Sequence, residues 1–118
     1  MDNKLIEEKL KNLGFKIIDV KEQFEYHSYH IYAIYRNGYA LSICQGISCY
    51  NGDYTYEVAL GWYDNEFHLV YKRKFNNDVL GWQTIDDIIK LAKSIKRYKN
   101  IKERDKNEND WTGYKYSL

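Results

Sequence analysis

The chain has 118 residues, 44% of them hydrophobic and 30% charged, with a formal net charge of +1. That size and balance describe one globular domain, able to bury roughly two-thirds of its unfolded surface without metal or disulfide staples, and they exclude general disorder. No apolar run is long enough to span a bilayer, and Met1-Asp2-Asn3-Lys4 leads into a charged amphipathic stretch, not a signal core, so a cytoplasmic protein is expected.

In chain order, Leu5, Ile6, Leu10 and Leu13 recur at helical spacing and predict a short helix over 3–13. Asp2 or Asn3 is its candidate cap, and Gly14 stands where a left-handed C-terminal residue is wanted. Phe15 to Val20 reads as a strand. A Tyr-, His- and Ile-rich segment over 24–36 then runs into Asn37-Gly38, a strong hairpin signal. A two-residue turn there pairs Tyr35 with Ala40, Ile34 with Leu41 and Tyr32 with Ile43. That register places Tyr32, Ile34, Leu41 and Ile43 on the core face and Ala33, Tyr35, Ala40, Ser42 and Cys44 on the other.

Residues 54–63 alternate strictly, and Asp64-Asn65 can turn the chain. The predicted pairs are Trp62–Phe67, Leu60–Leu69 and Val58–Tyr71 on the core face, with Gly61–His68, Ala59–Val70 and Glu57–Lys72 behind them. Val79-Leu80-Gly81-Trp82 is a short extended piece in the following connection, with Trp82 placed to staple the start of the next helix. Thr84, followed by Asp86 and Asp87, caps a helix over 84–98 whose apolar stripe is Ile85, Ile88, Ile89, Ala92 and Ile95.

These elements predict an α+β fold: a mainly antiparallel sheet of four to five strands, a C-terminal helix packed on one face, and a short N-terminal helix. Residues 1–98 are read as the domain and 99–118 as a charged, then aromatic, tail.

Lys, Asn, Ile, Tyr and Phe, the residues favoured by an AT-rich genome, together supply 53 positions. Codon bias accounts for the excess of tyrosine but not for its placement. The small-residue face (Ala33, Ala40, Ser42, Cys44, Ala59 and Gly61, bordered by Tyr35, His68 and Val70) lacks the Lys, Glu and Thr of a solvated surface. Either the N-terminal helix or the C-terminal segment covers it, or it docks a partner. Tyr35 is the first candidate anchor, followed by Trp111 and Tyr114.

Catalytic and metal chemistry find no complete residue set. Cys44 and Cys49 have four residues between them, and with His27, His30 and His68 they do not make a recognisable zinc pattern. Free cysteines are expected in a cytosol. A Cys44–His68 pair on one sheet face lacks an orienting group. No catalytic residue, metal or cofactor is therefore expected. The stretch 90–106 carries eight basic residues against Glu103 and Asp105. It makes Lys93, Lys96 and Arg97 candidates for contact with nucleic acid, although the near-neutral chain argues against a dedicated nucleic-acid domain.

Four pieces carry a resemblance: Asn37-Gly38-Tyr39-Ala40-Leu41-Ser42, Tyr56-Glu57-Val58-Ala59-Leu60, Asn77-Asp78-Val79-Leu80-Gly81-Trp82, and the helix from Thr84. Over about residues 37–97 the chain resembles small uncharacterised proteins of phages and prophages. It departs from them at Lys72-Arg73-Lys74-Phe75, where such proteins often carry a proline. The resemblance implies a mobile-element accessory protein acting in a bacterial host by stoichiometric binding to a protein or ribonucleoprotein, such as a CRISPR effector complex of a defence system. The alternative is a nucleic-acid-binding accessory protein.

Overall fold

The computed structural model describes residues 3–23, 28–46, 55–70, 79–103 and 106. Among them run α1 (Asn3–Asn12), β1 (Lys16–Gln23), β2 (Ser28–Ile34), β3 (Ala40–Gln45), β4 (Tyr56–Tyr63), β5 (Phe67–Leu69), β6 (Val79–Gln83) and α2 (Ile85–Ile95). All strand pairs are antiparallel, in the order β1-β2-β3-β4. The far edge of β4 is shared: β5 pairs with Gly61–Tyr63, and β6 pairs with the stretch from Tyr56 to Ala59. The α+β class is as expected, with six strands.

Local chemistry sets the helix ends. Gly14 adopts φ +99°, and the Gly14 and Phe15 amides donate back to the Lys11 and Leu10 carbonyls, closing α1. At the start of α2, the Asp87 amide donates to Thr84 Oγ1 (3.1 Å) and the Thr84 amide to the Asp87 carboxylate (2.9 Å), a reciprocal capping box. Trp82 does not staple this helix. It is 62% exposed, at φ +52°.

Both helices lie on the same face of the sheet. Ile6 and Leu10 of α1 share one core cluster with Ile88, Leu91, Ala92 and Ile95 of α2, and with Ile31, Leu41, Ile43, Val58 and Leu60 of the strands. Two buried tyrosines tether α1 from below. The Tyr29 hydroxyl donates to Glu7 Oε2 (2.8 Å) and the Tyr56 hydroxyl to Asn3 Oδ1 (2.7 Å). Burial, reinforced by the Glu7 carboxylate, pushes the Tyr29 phenol far above its usual range, so it stays a donor.

The two hairpins depart from the predicted register by one residue, for one reason: each loop has three residues, not two. The Tyr35 amide donates to the Tyr39 carbonyl and the Gly38 amide to the Tyr35 carbonyl (2.9 Å each), leaving Arg36-Asn37-Gly38 as the loop, with Gly38 at φ +94°. Ile31 therefore faces Ile43, Ala33 faces Leu41, and Tyr32 faces Ser42. In the second hairpin Tyr63 faces Phe67 and Trp62 faces His68. Since side chains alternate, a one-residue slip inverts a whole strand. The face assignments of β3 and β4 stand, and those of β2 and β5 are reversed. Tyr29, Ile31 and Ala33 face the helices, as do His68, stacked on Trp62 with ring centres 4.2 Å apart, and Val70.

Asn37 joins this hairpin to α2. Its side-chain amide donates to the carbonyls of Ile95 (2.9 Å) and Tyr98 (3.2 Å), its Oδ1 accepts from the Tyr39 amide, and its own carbonyl accepts from the Ile101 amide. Gly38 fits beneath Ile101, where a Cβ would come within 2.6 Å of the isoleucine side chain. Ile101 thus belongs to the body of the fold and packs against the core.

Leu60 and Ile88 are fully buried in that core. Leu60→Ala and Ile88→Ala are each expected to cost about 2–5 kcal/mol, read as a lowered urea midpoint. Asn37→Ala removes the partner of buried carbonyls and is expected to cost about 1–3 kcal/mol. A midpoint for Asn37→Ala equal to that of the parent would show that the hairpin does not hold the end of α2.

Candidate functional site

With both helices on one side, the other face of the sheet has no helix over it among the described residues. Its floor is small: Ala40 opposite Gly61, and Ser42 opposite Ala59. Rings stand on that floor. Tyr32 is the centre, with its ring 4.6 Å from His30, 5.0 Å from Tyr63 and 5.5 Å from Phe67, the last nearly parallel at 18°. Gly61 makes room for this cluster, since a Cβ there would collide with the Phe67 ring and the His68 carbonyl. Each such ring pair contributes roughly 0.5–1.5 kcal/mol beyond its buried area.

Polar contacts fix the rim of the cluster. In β1 a bulge between Ile18 and Lys21 puts Asp19 at φ +51°, a conformation that aspartate tolerates better than most residues. The Tyr63 hydroxyl donates to the Asp19 carboxylate, and this bond, more than burial, pushes the phenol up to about 12. Burial and the Asp19 charge also raise the Tyr32 phenol. On the other side, His30 Nε2 lies 2.9 Å from Ser42 Oγ. Burial lowers the His30 pKa and nearby Lys21 adds to the effect, while Glu57 and Asp19 oppose it.

His30 and Ser42 are within reach for a nucleophile and base. However, Ser42 sits in the middle of β3, which is paired with β2 on one edge and β4 on the other. The neighbouring backbone amides are engaged in those ladders, leaving no oxyanion donors beside the hydroxyl. Among the described residues, His30 and Ser42 therefore lack the oxyanion donors that acyl transfer needs. Among the described residues there is no group of three or more His, Cys, Asp or Glu placed to hold a metal ion, and no helix long and apolar enough to cross a membrane.

The expected site residues separate. Tyr35 is a correction: it is 6% exposed and belongs to the core, its ring 5.0 Å from Phe15, because the longer loop turns it toward the helices. It cannot anchor a partner from the small-residue face. Trp111 and Tyr114 lie outside the described residues. Lys93, Lys96 and Arg97 are exposed on the helix side, remote from the aromatic face. Cys44 is disulfide-bonded, which corrects the expectation of a free thiol, while Cys49 lies outside the described residues. His68 is on the opposite face from Cys44, so the two do not pair. Sequence reading found the small floor but missed His30, Tyr32, Tyr63 and Phe67. Their only signal was alternation, which the assumed two-residue turns assigned to the wrong side for His30, Tyr32 and Phe67, while Tyr63 fell on the correct side of β4 but was not singled out. α1 does not cover the floor.

Comparison with known protein families, characterised proteins and solved structures yields no match.

The depressed His30 pKa sets a pH dependence. A histidine held neutral in the fold contributes stability above its unfolded pKa of about 6.5, and loses it as pH falls from there toward the lower folded value. The urea midpoint is expected to drop between about pH 7.5 and pH 5, and His30→Gln should flatten that drop. An unchanged slope in the variant would show that His30 titrates alike in both states.

Proposed function

We propose that this chain is a non-enzymatic binding protein that associates stoichiometrically with a protein partner through the sheet face that carries no helix among the described residues. One observation carries the reading: a ring cluster, Tyr32 with His30, Tyr63 and Phe67, is held in place by its own hydrogen bonds above a floor of Ala, Ser and Gly. Aromatic side chains that are already ordered lose little entropy on binding, and tyrosine is among the residues enriched at binding hot spots. Charge on this face is mixed, with Lys16 and Lys21 set against Asp19 and Glu57, which suits a protein surface better than a polyanion.

The resemblance to small phage and prophage proteins supports a bacterial host as the setting. A cytoplasmic defence complex, of which a CRISPR effector is an example, is the partner class proposed on that ground.

The test is capture by the tagged chain from bacterial lysate, with and without nuclease, followed by titration of the captured component. Saturable one-to-one binding is expected to weaken by at least about 30-fold, equivalent to about 2 kcal/mol, in a Tyr32→Ala/Phe67→Ala variant. Neutralising Lys93, Lys96 and Arg97 together should leave it within a few-fold. Capture that ignores the aromatic variant, or that disappears with nuclease, would overturn the proposal.

A further inference from the structure

A near-neutral net charge conceals an uneven distribution of charge. The Asn37 contacts lock the β2–β3 turn against the end of α2, and so bring Arg36 beside Lys96, sixty positions away in sequence. Both cations address one ring: the Arg36 guanidinium lies 5.2 Å from the centre of Tyr35 and Lys96 Nζ lies 5.8 Å from it. Arg97 and Lys99 follow directly, and both are exposed. Lys16 pairs opposite Ile34, at the same end of the sheet. Lys11 lies in the last turn of α1, just before Phe15, whose ring touches Tyr35.

None of these six cations has a carboxylate within ion-pair distance among the described residues; the pairs found there are His68–Asp64 and Lys106–Glu103. Glu22, Glu57, Asp86 and Asp87 belong to the opposite end, partly offset by Lys21 and Lys90, whereas Asp64 and Glu66 of the β4–β5 turn share the basic end and offset only part of its six cations. Complementing the helix dipole accounts for a cation or two in the last turn of α2, such as Lys93. It does not account for Arg36 on a separate hairpin, held against like charge.

We infer that this basic end of the molecule binds the phosphodiester backbone of nucleic acid without reading sequence. Long, exposed cations drawn from a hairpin, two helix ends and a strand can track a row of phosphates. Among the described residues the cluster offers no exposed aromatic platform, since Tyr35 is buried beneath the cations and half-buried Tyr98 packs edge-on against Tyr39, so these residues contact phosphates and not bases. Lysine is also depleted at protein–protein interfaces, which disfavours an acidic protein as the partner. The surface meets the aromatic face only at Lys16, which lies at the end of β1 and borders both, and this inference does not depend on the reading given for that face.

The experiment is fluorescence anisotropy with labelled single- and double-stranded oligonucleotides of about 20 nucleotides, titrated with the full chain from about 50 to about 200 mM salt. Four phosphate contacts predict a roughly 100-fold loss of affinity across that range, at about 0.7–0.9 log units per contact. Arg36→Ala alone should lower the salt slope by about one unit, and Arg36→Gln should reproduce the effect while keeping a polar side chain over Tyr35. The combined R36A/K96A/R97A/K99A variant should lose nearly all binding, with a parental far-ultraviolet spectrum as the fold control. Lys4→Ala and Lys90→Ala, distant from this end, should change nothing. No binding at the lowest salt, binding indifferent to both Arg36 variants, or equally tight binding of polyglutamate would each overturn the inference.

Discussion

A single buried amide organises the molecule. Asn37 is almost fully enclosed, and its side chain and backbone together make contacts with Ile95, Tyr98, Tyr39 and Ile101. A buried polar group of this kind is tolerable only when its hydrogen-bonding capacity is met. Meeting it requires that the β2–β3 turn be a three-residue loop, that α2 end where it does, and that the chain beyond α2 return across the turn. The register of β2 against β3 follows from that loop, and the register decides which side chains enter the core.

The consequence is a division among the tyrosines. Tyr29 and Tyr56 lie on the helix side, where their hydroxyls reach out of the core to α1, so each ring serves as hydrophobic mass and its oxygen as a tether. Tyr32 and Tyr63 lie on the other side, where their rings pack on each other and Tyr32 stacks on Phe67, with no helix above them among the described residues. The chain has 13 tyrosines, and placement gives these two sets different work. Gly61 matters because it is where the backbone of β4 must accept the Phe67 ring and the β5 carbonyl at close quarters.

Two surfaces of different chemistry result, and they point in different directions. The sheet face is aromatic, internally hydrogen-bonded and mixed in charge. The turn end is cationic and exposed, with the Tyr35 ring buried underneath. Each surface fails under different conditions, since burial of rings is nearly insensitive to salt whereas counterion release is steeply sensitive to it.

Local chemistry was enough to read much of this fold from sequence. Gly14 closes α1, Thr84 with Asp87 opens α2, the alternation of Val58, Leu60 and Trp62 marks the core side of β4, and Leu41 with Ile43 marks that of β3. Each signal rests on residues within a few positions of one another. The faces of β2 and β5 could not be read this way, because a strand of period two is unchanged in pattern by a one-residue slip, and a loop of two residues differs from one of three only through its partners. Those partners are distant in the chain: Asn37 meets Ile95 and Tyr98, Gly38 meets Ile101, and Tyr63 meets Asp19. Sequence by itself determined the elements, the class of fold and the small floor of the outer face. Tertiary structure alone decided that Tyr32 and Phe67 stand on that floor, that Tyr35 is withdrawn from it, and that Arg36 joins Lys96, because hydrogen bonds and steric fits between segments far apart in the chain set the two loop lengths.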